Sequence, residues 1–323
     1  VTGGTGFLGK NLIAELVKRG DRVIAIHRPA SDTRELARLG AELVVCGLDD
    51  VDGLVRAMPN GVDAVYHVAG DISWWKGNEE RQRKTNVDGT HAVVEAALRQ
   101  HAQRFIHTSS ISAFGISDDV ITEETPSNAE ELPYGYLRTK RQGERIVLDA
   151  VARGLPAVVM NPANIMGPYD VTGWARLILL LDRDATVAAP AGVGTFCHAM
   201  AVAQAHIAAT TRGRIGERYL LGGVDASFVE LGATIARHLG KRTPPKAPAI
   251  VLRLLGAAND LRARFTGKEA EITWQNATLF SRRIVCASDK AIRELGYAPR
   301  SLDDMVRDSV AWLRAGEKLR SKT

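Results

Sequence analysis

Cysteine is almost missing from this chain. Cys46, Cys197 and Cys286 are its only three, far apart and without a C-x-x-C pair. That excludes a disulfide framework and a zinc-finger ligand set, so a reducing, cytoplasmic compartment and no metal are expected. Long apolar runs are missing too. Stretches such as Leu177 to Leu181 are far shorter than the roughly 20 residues that cross a bilayer, and no membrane partner is expected. No basic run interleaves with aromatics, so the net charge of +5 does not point to nucleic acid. Internal repeats and low-complexity tracts are absent as well. The first residues carry no charged-then-apolar signal pattern. Val1-Thr2 reads instead as the tail of a strand whose beginning is missing, so a few native residues are expected ahead of it.

What is present suits a soluble α/β protein. With 323 residues, of which 45% are hydrophobic, the chain can bury a substantial core in one large or two modest domains. The most specific local signal is Val1-Thr2-Gly3-Gly4-Thr5-Gly6-Phe7-Leu8-Gly9, with glycines spaced as T-G-x-x-G-x-x-G. A helical pattern follows (Leu12, Ile13, Leu16, Val17), Gly20 closes it, and Asp21 to Ile26 reads as a strand. Strand, glycine turn, helix and second strand form a dinucleotide-binding unit. One glycine makes the tight turn, one admits the pyrophosphate, and one lets helix and strand pack. The free N–H groups of the helix N-terminus attract the phosphate.

The end of the second strand bears on the cofactor. NAD sites place an acid there for the ribose hydroxyls. This chain has His27-Arg28-Pro29, and Arg28 can form charge-assisted bonds to a 2′-phosphate, or be a solvated loop residue. NADP(H) is therefore favoured, with NAD(H) left open. Strands are then expected at Glu42–Cys46, Asp63–His67, Arg104–His107 and Ala157–Asn161, with helices at Val51–Met58 and Glu79–Gln100. Ala69 and Gly70 are small enough for close approach of an adenine or ribose. Trp74 and Trp75 follow beyond the same strand end, where open α/β sheets bind ligands. They can wall an apolar pocket or simply pack.

The pattern predicts a Rossmann-type, doubly wound parallel sheet over 1–168. A smaller, mainly helical C-terminal substrate lobe is expected over 169–323, with some segments returning to the first domain. Helices are expected at Trp174–Leu181, Ala199–Thr211, Ser227–Leu239, Ala249–Arg264 and Leu302–Ala315, and a short strand at Arg218–Leu221.

Near the start of another helical pattern stand Tyr136 and Lys140, an i, i+4 pair on one face. A phenol has a pKa of about 10, and an ammonium one turn away favours its ionised form. A tyrosine tuned in this way can exchange a proton with an alcohol or carbonyl. Ser110 lies in the Thr108–Gly115 stretch after an earlier strand, placed to bond a ligand carbonyl, although serines are also ordinary loop formers.

The glycine turn, Ser110 and Tyr136…Lys140, in that order, resemble an extended short-chain dehydrogenase/reductase. The resemblance runs over essentially the whole chain, including Asn86-Val87-Asp88-Gly89-Thr90 and Gly167-Pro168. It implies that Ser110 orients a carbonyl, that Tyr136 is the acid/base, and that Lys140 holds the nicotinamide ribose and lowers the tyrosine pKa. Asn161-Pro162 would lie alongside the nicotinamide and substrate. Cofactor contacts are expected at Gly3, Thr5, Gly6, Phe7, Leu8, Gly9, His27, Arg28, Leu48, Ala69, Gly70, Tyr136, Lys140 and Pro162. Substrate contacts are expected at Trp74, Trp75, Ser110, Asn161, Met166 and Phe196. A homodimer is implied through the helices near Glu79–Gln100 and Tyr136–Val151.

Three departures from the family's pattern stand out, and the first two separate its branches. Nucleotide-sugar epimerases and dehydratases usually carry an acid at the second strand's end and often an Arg-Asp before a segment like Phe196-Cys197-His198. Here those positions are His27 and Gly194-Thr195. The Asp of the family's Gly-Asp-Leu near the adenine is Gly47, with Asp49 as a candidate substitute. Arg28, the tryptophans and Val159-Met160-Asn161-Pro162 look more like the dihydroflavonol reductase-like branch, which implies NADPH-dependent reduction of a ketone or aldehyde. The expected activity is thus an NADP(H)-dependent carbonyl reductase/alcohol dehydrogenase on a small, apolar or aromatic carbonyl compound. The alternatives are an NAD-dependent sugar epimerase/dehydratase and a non-catalytic dinucleotide sensor.

Overall fold

The computed structural model describes residues 1–184, 188–266, 270 and 273–320. Its first half alternates helix and strand: α1 (Phe7–Lys18), β1 (Ile24–His27), α2 (Arg34–Leu39), β2 (Glu42–Val45), α3 (Val51–Ala57) and β3 (Val65–His67). Next come α4 (Glu79–Arg83), α5 (Gly89–Arg99), β4 (Phe105–Thr108), α6 (Gly135–Val151), β5 (Ala157–Pro162), β6 (Asn164–Met166) and α7 (Ala175–Asp182). The remainder carries β7 (Val193–His198), α8 (Ala199–Arg212), β8 (Arg218–Leu221), β9 (Val224–Ser227), α9 (Phe228–Leu239) and α10 (Ala249–Thr266). It closes with α11 (Trp274–Leu279), β10 (Arg283–Ile284), α12 (Asp289–Leu295) and α13 (Leu302–Ala315).

The main sheet is parallel throughout. β2 pairs with β1, Thr2 bridges Ile26 of β1 and His67 of β3, and β3, β4, β5 and β8 continue in that order. The chain therefore leaves Thr2 toward one edge and returns past it to build the other. The strand order reverses between Thr2 and β3, which is where ligands bind in open α/β sheets. β3, β4 and β5 are buried along their whole length, as a sheet covered on both faces requires. Ile106, Val158 and Met160 meet α1 and α8 on one face, and Phe105, Ala157 and Val159 meet α5 and α6 on the other. From the second half of the chain, α8 lies against β4 and β5, and α12 against β8.

Two features differ from the sequence pattern. The helix expected over Glu79–Gln100 is interrupted by a π-helical turn at Lys84–Asp88. Here α6 comes so close that a Cβ on Gly143 would stand 2.4 Å from the Asn86 carbonyl oxygen. Such turns recur at functional sites. The C-terminal portion, besides its helices, holds a small sheet in which β7 pairs in parallel with β6 and β10 and antiparallel with β9. β6 and β10 are too short, and β7 too evenly buried, to show a period-2 signal.

The core also buries histidines. His67 shares hydrogen bonds with Thr2 (2.8 Å) and Thr90 (3.0 Å), its ring stacks on His107, and His206 bonds Thr108 (2.9 Å) and the Val202 carbonyl (2.8 Å). Burial pulls His67 down to about 3 and His206 to about 4, and holds His107 well below the ordinary imidazole range. A histidine whose folded pKa is depressed stabilises the fold above about pH 6.5, and that contribution is lost as the pH falls toward the folded value. Three such groups predict a stability that falls as the pH drops below about 6.5, by at most about 4 kcal/mol per pH unit. Urea unfolding at pH 8, 6.5 and 5 measures this. A midpoint that stays constant from pH 8 to 5 contradicts it.

Candidate active site

The glycine turn is built by contact. Gly3 has φ +70° and sits so close to the end of β3 that a Cβ on it would lie 2.5 Å from the Ala69 amide nitrogen. A Cβ on Gly9 would lie 2.2 Å from the Gly3 carbonyl oxygen. The Gly6 amide donates to that oxygen (3.0 Å), and Lys10 is the first residue of α1 to bond back, to Gly6 (3.0 Å). No side chain caps α1, which leaves the amides of Phe7, Leu8 and Gly9, beside Thr5, as donors for an anion. Across the switch point, Gly70 is bare and exposed. A Cβ there would stand 3.5 Å from Asn86 Oδ1 and 3.7 Å from Lys140 Nζ. The cradle thus runs from the N-terminus of α1 to Lys140, and its chemistry fits a dinucleotide.

At the end of β1, His27 is partly buried and its Nδ1 lies 3.0 Å from the Arg28 carbonyl. Arg28 is exposed, with no ion pair or hydrogen bond of its side chain among the described residues. Arg34 is already held by Asp32 at 2.7 Å. Leu48 is half-buried against Gly89, Asp49 is exposed, and Pro162 is buried at the end of β5.

Ser110 follows β4 and opens a short 3-10 turn, its Oγ accepting from the Ser112 amide (3.1 Å). Tyr136 and Lys140 lie in the first two turns of α6. Ser110 stands close enough to Tyr136 for its hydroxyl to act on the phenol, so the two groups are neighbours. The tyrosine pKa does not follow the expectation. Burial raises it, the neighbouring Ser110 hydroxyl opposes that, and the charge of Asp71 adds to it. Lys140 points its ammonium at the Thr108 carbonyl (2.8 Å), and burial lowers its own pKa to about 8 against the pull of Glu144. The result is a phenol kept in its proton-donating form.

Four of the expected substrate residues lie elsewhere. Asn161 is fully buried and gives its amide hydrogens to Glu144 Oε2 (2.7 Å) and to the Ser110 carbonyl (3.0 Å), so it holds Ser110 from behind. Met166 and Phe196 belong to the core beneath the lobe, where Phe196 meets Trp174 edge-on at 5.3 Å. Trp75 turns back over Gly77. Trp74 is different: its ring meets Tyr136 edge-on at 5.1 Å and Phe280 at 6.3 Å. Phe280 in turn contacts Trp174 (5.6 Å) and Phe228 (5.4 Å). A continuous aromatic wall therefore leads away from the phenol.

Three residues escaped the sequence reading. Glu144, one turn beyond Lys140, accepts from Ser109 (2.7 Å), Asn161 and Arg141 (3.0 Å) while completely buried. Its i, i+4 spacing from Lys140 was the available signal. Asn86, in the π turn, accepts from the Asp71 amide (2.7 Å) and donates to the Asp71 carbonyl (2.9 Å) and Thr139 (3.1 Å). It fixes the Trp74 loop to α6. Phe280 had no local signal, because only the tertiary fold brings it to Trp74.

Residues 1–222 match the model of the NAD dependent epimerase/dehydratase family. A putative dihydroflavonol 4-reductase of Synechocystis sp. is 29% identical, over 97% of this chain and 94% of its own. Sterol demethylase protein B of Methylococcus capsulatus is 30% identical over 97% of both chains. The crystal structure of gox2253 superimposes with a TM-score of 0.85 at 33% identity, covering 99% of this chain and 98% of that one. Fold, nucleotide cradle and relatives together define an extended short-chain dehydrogenase/reductase, an NAD(P)-dependent oxidoreductase. The chain belongs to the NAD-dependent epimerase/dehydratase family.

Proposed function

We propose that this protein is an NADP(H)-dependent carbonyl reductase/alcohol dehydrogenase acting on an apolar or aromatic ketone or aldehyde. The observation that carries the proposal is the contact of Trp74 with Tyr136, which gives the proton donor an aromatic wall. Two further observations support it over sugar epimerisation. Gly194 and Thr195 place no arginine where a nucleotide sugar's phosphates would be gripped. Thr195 is itself buried, bonded to Asp225 (2.5 Å) and to the Cys286 amide (3.0 Å). Two relatives are named for a dihydroflavonol and a sterol, neither of them a nucleotide sugar.

When bound, the nicotinamide supplies the hydride to the carbonyl carbon or takes it back. Phe7, Leu8 and Gly9 would hold the pyrophosphate, Arg28 the 2′-phosphate, and Lys140 the ribose. Ser110 orients the carbonyl oxygen, and Tyr136 delivers the proton to it as the alcohol forms. Lys140, held on the Thr108 carbonyl, keeps a positive charge near the phenol as it loses that proton. Trp74 and Phe280 exclude water and seat the apolar part of the substrate.

NADPH oxidation measured across ketones, aldehydes and quinone-like compounds tests the reading. Tyr136→Phe is expected to lower turnover by roughly 100-fold or more while NADPH binding stays nearly intact. Turnover near that of the unaltered enzyme overturns the assignment. Arg28→Ala is expected to weaken NADPH by roughly tenfold or more and NADH hardly at all; equal losses refute the 2′-phosphate contact. Tightly retained NAD in the purified protein, with no NADPH-dependent reduction, favours the epimerase/dehydratase alternative.

A further inference from the structure

The long helix α10 has two contrasting faces. Leu252, Gly256 and Ala263 are buried, and Gly256 approaches α11 so closely that a Cβ would lie 2.6 Å from the Thr273 backbone. The opposite face bears Ile250, Leu254, Leu261 and Phe265, which are 57%, 60%, 55% and 84% exposed. Their spacing of four, seven and four residues makes one stripe along the helix. Arg262 and Arg264, both exposed, flank it. The helix's one acid, Asp260, is partly buried and accepts from the Trp274 amide (2.9 Å). Trp274, at the start of α11 on the Gly256 side of α10, is 45% exposed.

An exposed apolar stripe of this length is a docking surface. Its composition identifies the partner: aliphatic and aromatic residues at the centre and arginines at the rim. We infer that α10 rests on the surface of an anionic lipid bilayer, with its apolar stripe in the interface and Arg262 and Arg264 at the headgroups. A second copy of the chain would bring cationic rims together, whereas anionic lipid complements them. Among the described residues no helix is long and apolar enough to cross a membrane, and an interfacial helix has no need to cross. The expectation of no membrane partner rested on the lack of a spanning run, which leaves surface docking untouched.

The placement gives this surface a use. Gln275 of α11 donates to the Pro133 carbonyl (2.8 Å), just ahead of α6, and Phe280 follows α11 into the aromatic wall beside Trp74. A lipophilic carbonyl compound leaving the bilayer at α10 and α11 therefore emerges beside the site. This step rests on the reductase reading; lipid binding does not.

Flotation of the full-length purified protein tests lipid binding without any turnover. The probes are phosphatidylethanolamine/phosphatidylglycerol vesicles and phosphatidylcholine vesicles. The protein is expected to float with the anionic vesicles and to be released by salt. Leu254→Gln/Leu261→Gln/Phe265→Gln is expected to weaken binding by more than about tenfold. Arg262→Ala and Arg264→Ala should each cost roughly fivefold on anionic vesicles only. Unchanged NADPH binding confirms that the variants are folded. Failure of the unaltered chain to float, or equal flotation of the triple variant, overturns the inference. So does a stable dimer that the triple variant abolishes without any vesicle binding, since a second copy then covers the stripe.

Discussion

The buried carboxylate of Glu144 joins the three elements on which the site stands. It lies on α6 with Tyr136 and Lys140, and it accepts from Ser109 after β4, from Asn161 at the end of β5 and from Arg141 one turn back. Arg218 of β8 adds a charge at 3.6 Å. Removing a carboxylate from water is costly, and this one is offset by hydrogen bonds and nearby cations. The geometry follows. Asn161, oriented by Glu144, bonds the Ser110 carbonyl, so Ser110 is fixed from behind while its side chain meets Tyr136. The same charge opposes the lowering of the Lys140 pKa.

A second set of contacts places the cofactor side of the site against this frame. Asn86, exposed to α6 by the π turn, locks the Asp71 backbone through both its amide and its carbonyl. That positions Ala69 and Gly70 opposite Gly3, and Trp74 against Tyr136. The nucleotide cradle and the aromatic wall are therefore two ends of one loop pinned to α6. The close approach of Gly143 to the Asn86 carbonyl leaves little freedom for either side to shift alone.

Much of this was legible in the residues. The glycine turn, the alternation of strand and helix, and the i, i+4 pair of Tyr136 and Lys140 are local patterns, and local patterns survive in a sequence. What was lost depends on long-range packing. The π turn forms because α6 presses on Asn86, the small sheet forms because β7 finds partners dozens of residues away, and Phe280 reaches Trp74 only in the tertiary fold. Asn161, Met166 and Phe196 sit where pocket residues are expected, yet all three face inward. The charge one turn from Tyr136 is visible in the sequence, whereas the burial that raises its pKa is not.

If Glu144 aligns Ser110 with Tyr136, its loss should damage chemistry more than cofactor binding. The decisive measurement is kcat for NADPH-dependent carbonyl reduction by Glu144→Ala, alongside its NADPH affinity, at a temperature where the variant remains folded. The account predicts a fall in kcat of about a hundredfold, with NADPH affinity within about twofold of the unaltered enzyme because Glu144 is not part of the glycine cradle. An unchanged kcat, or a loss confined to cofactor binding, would contradict it.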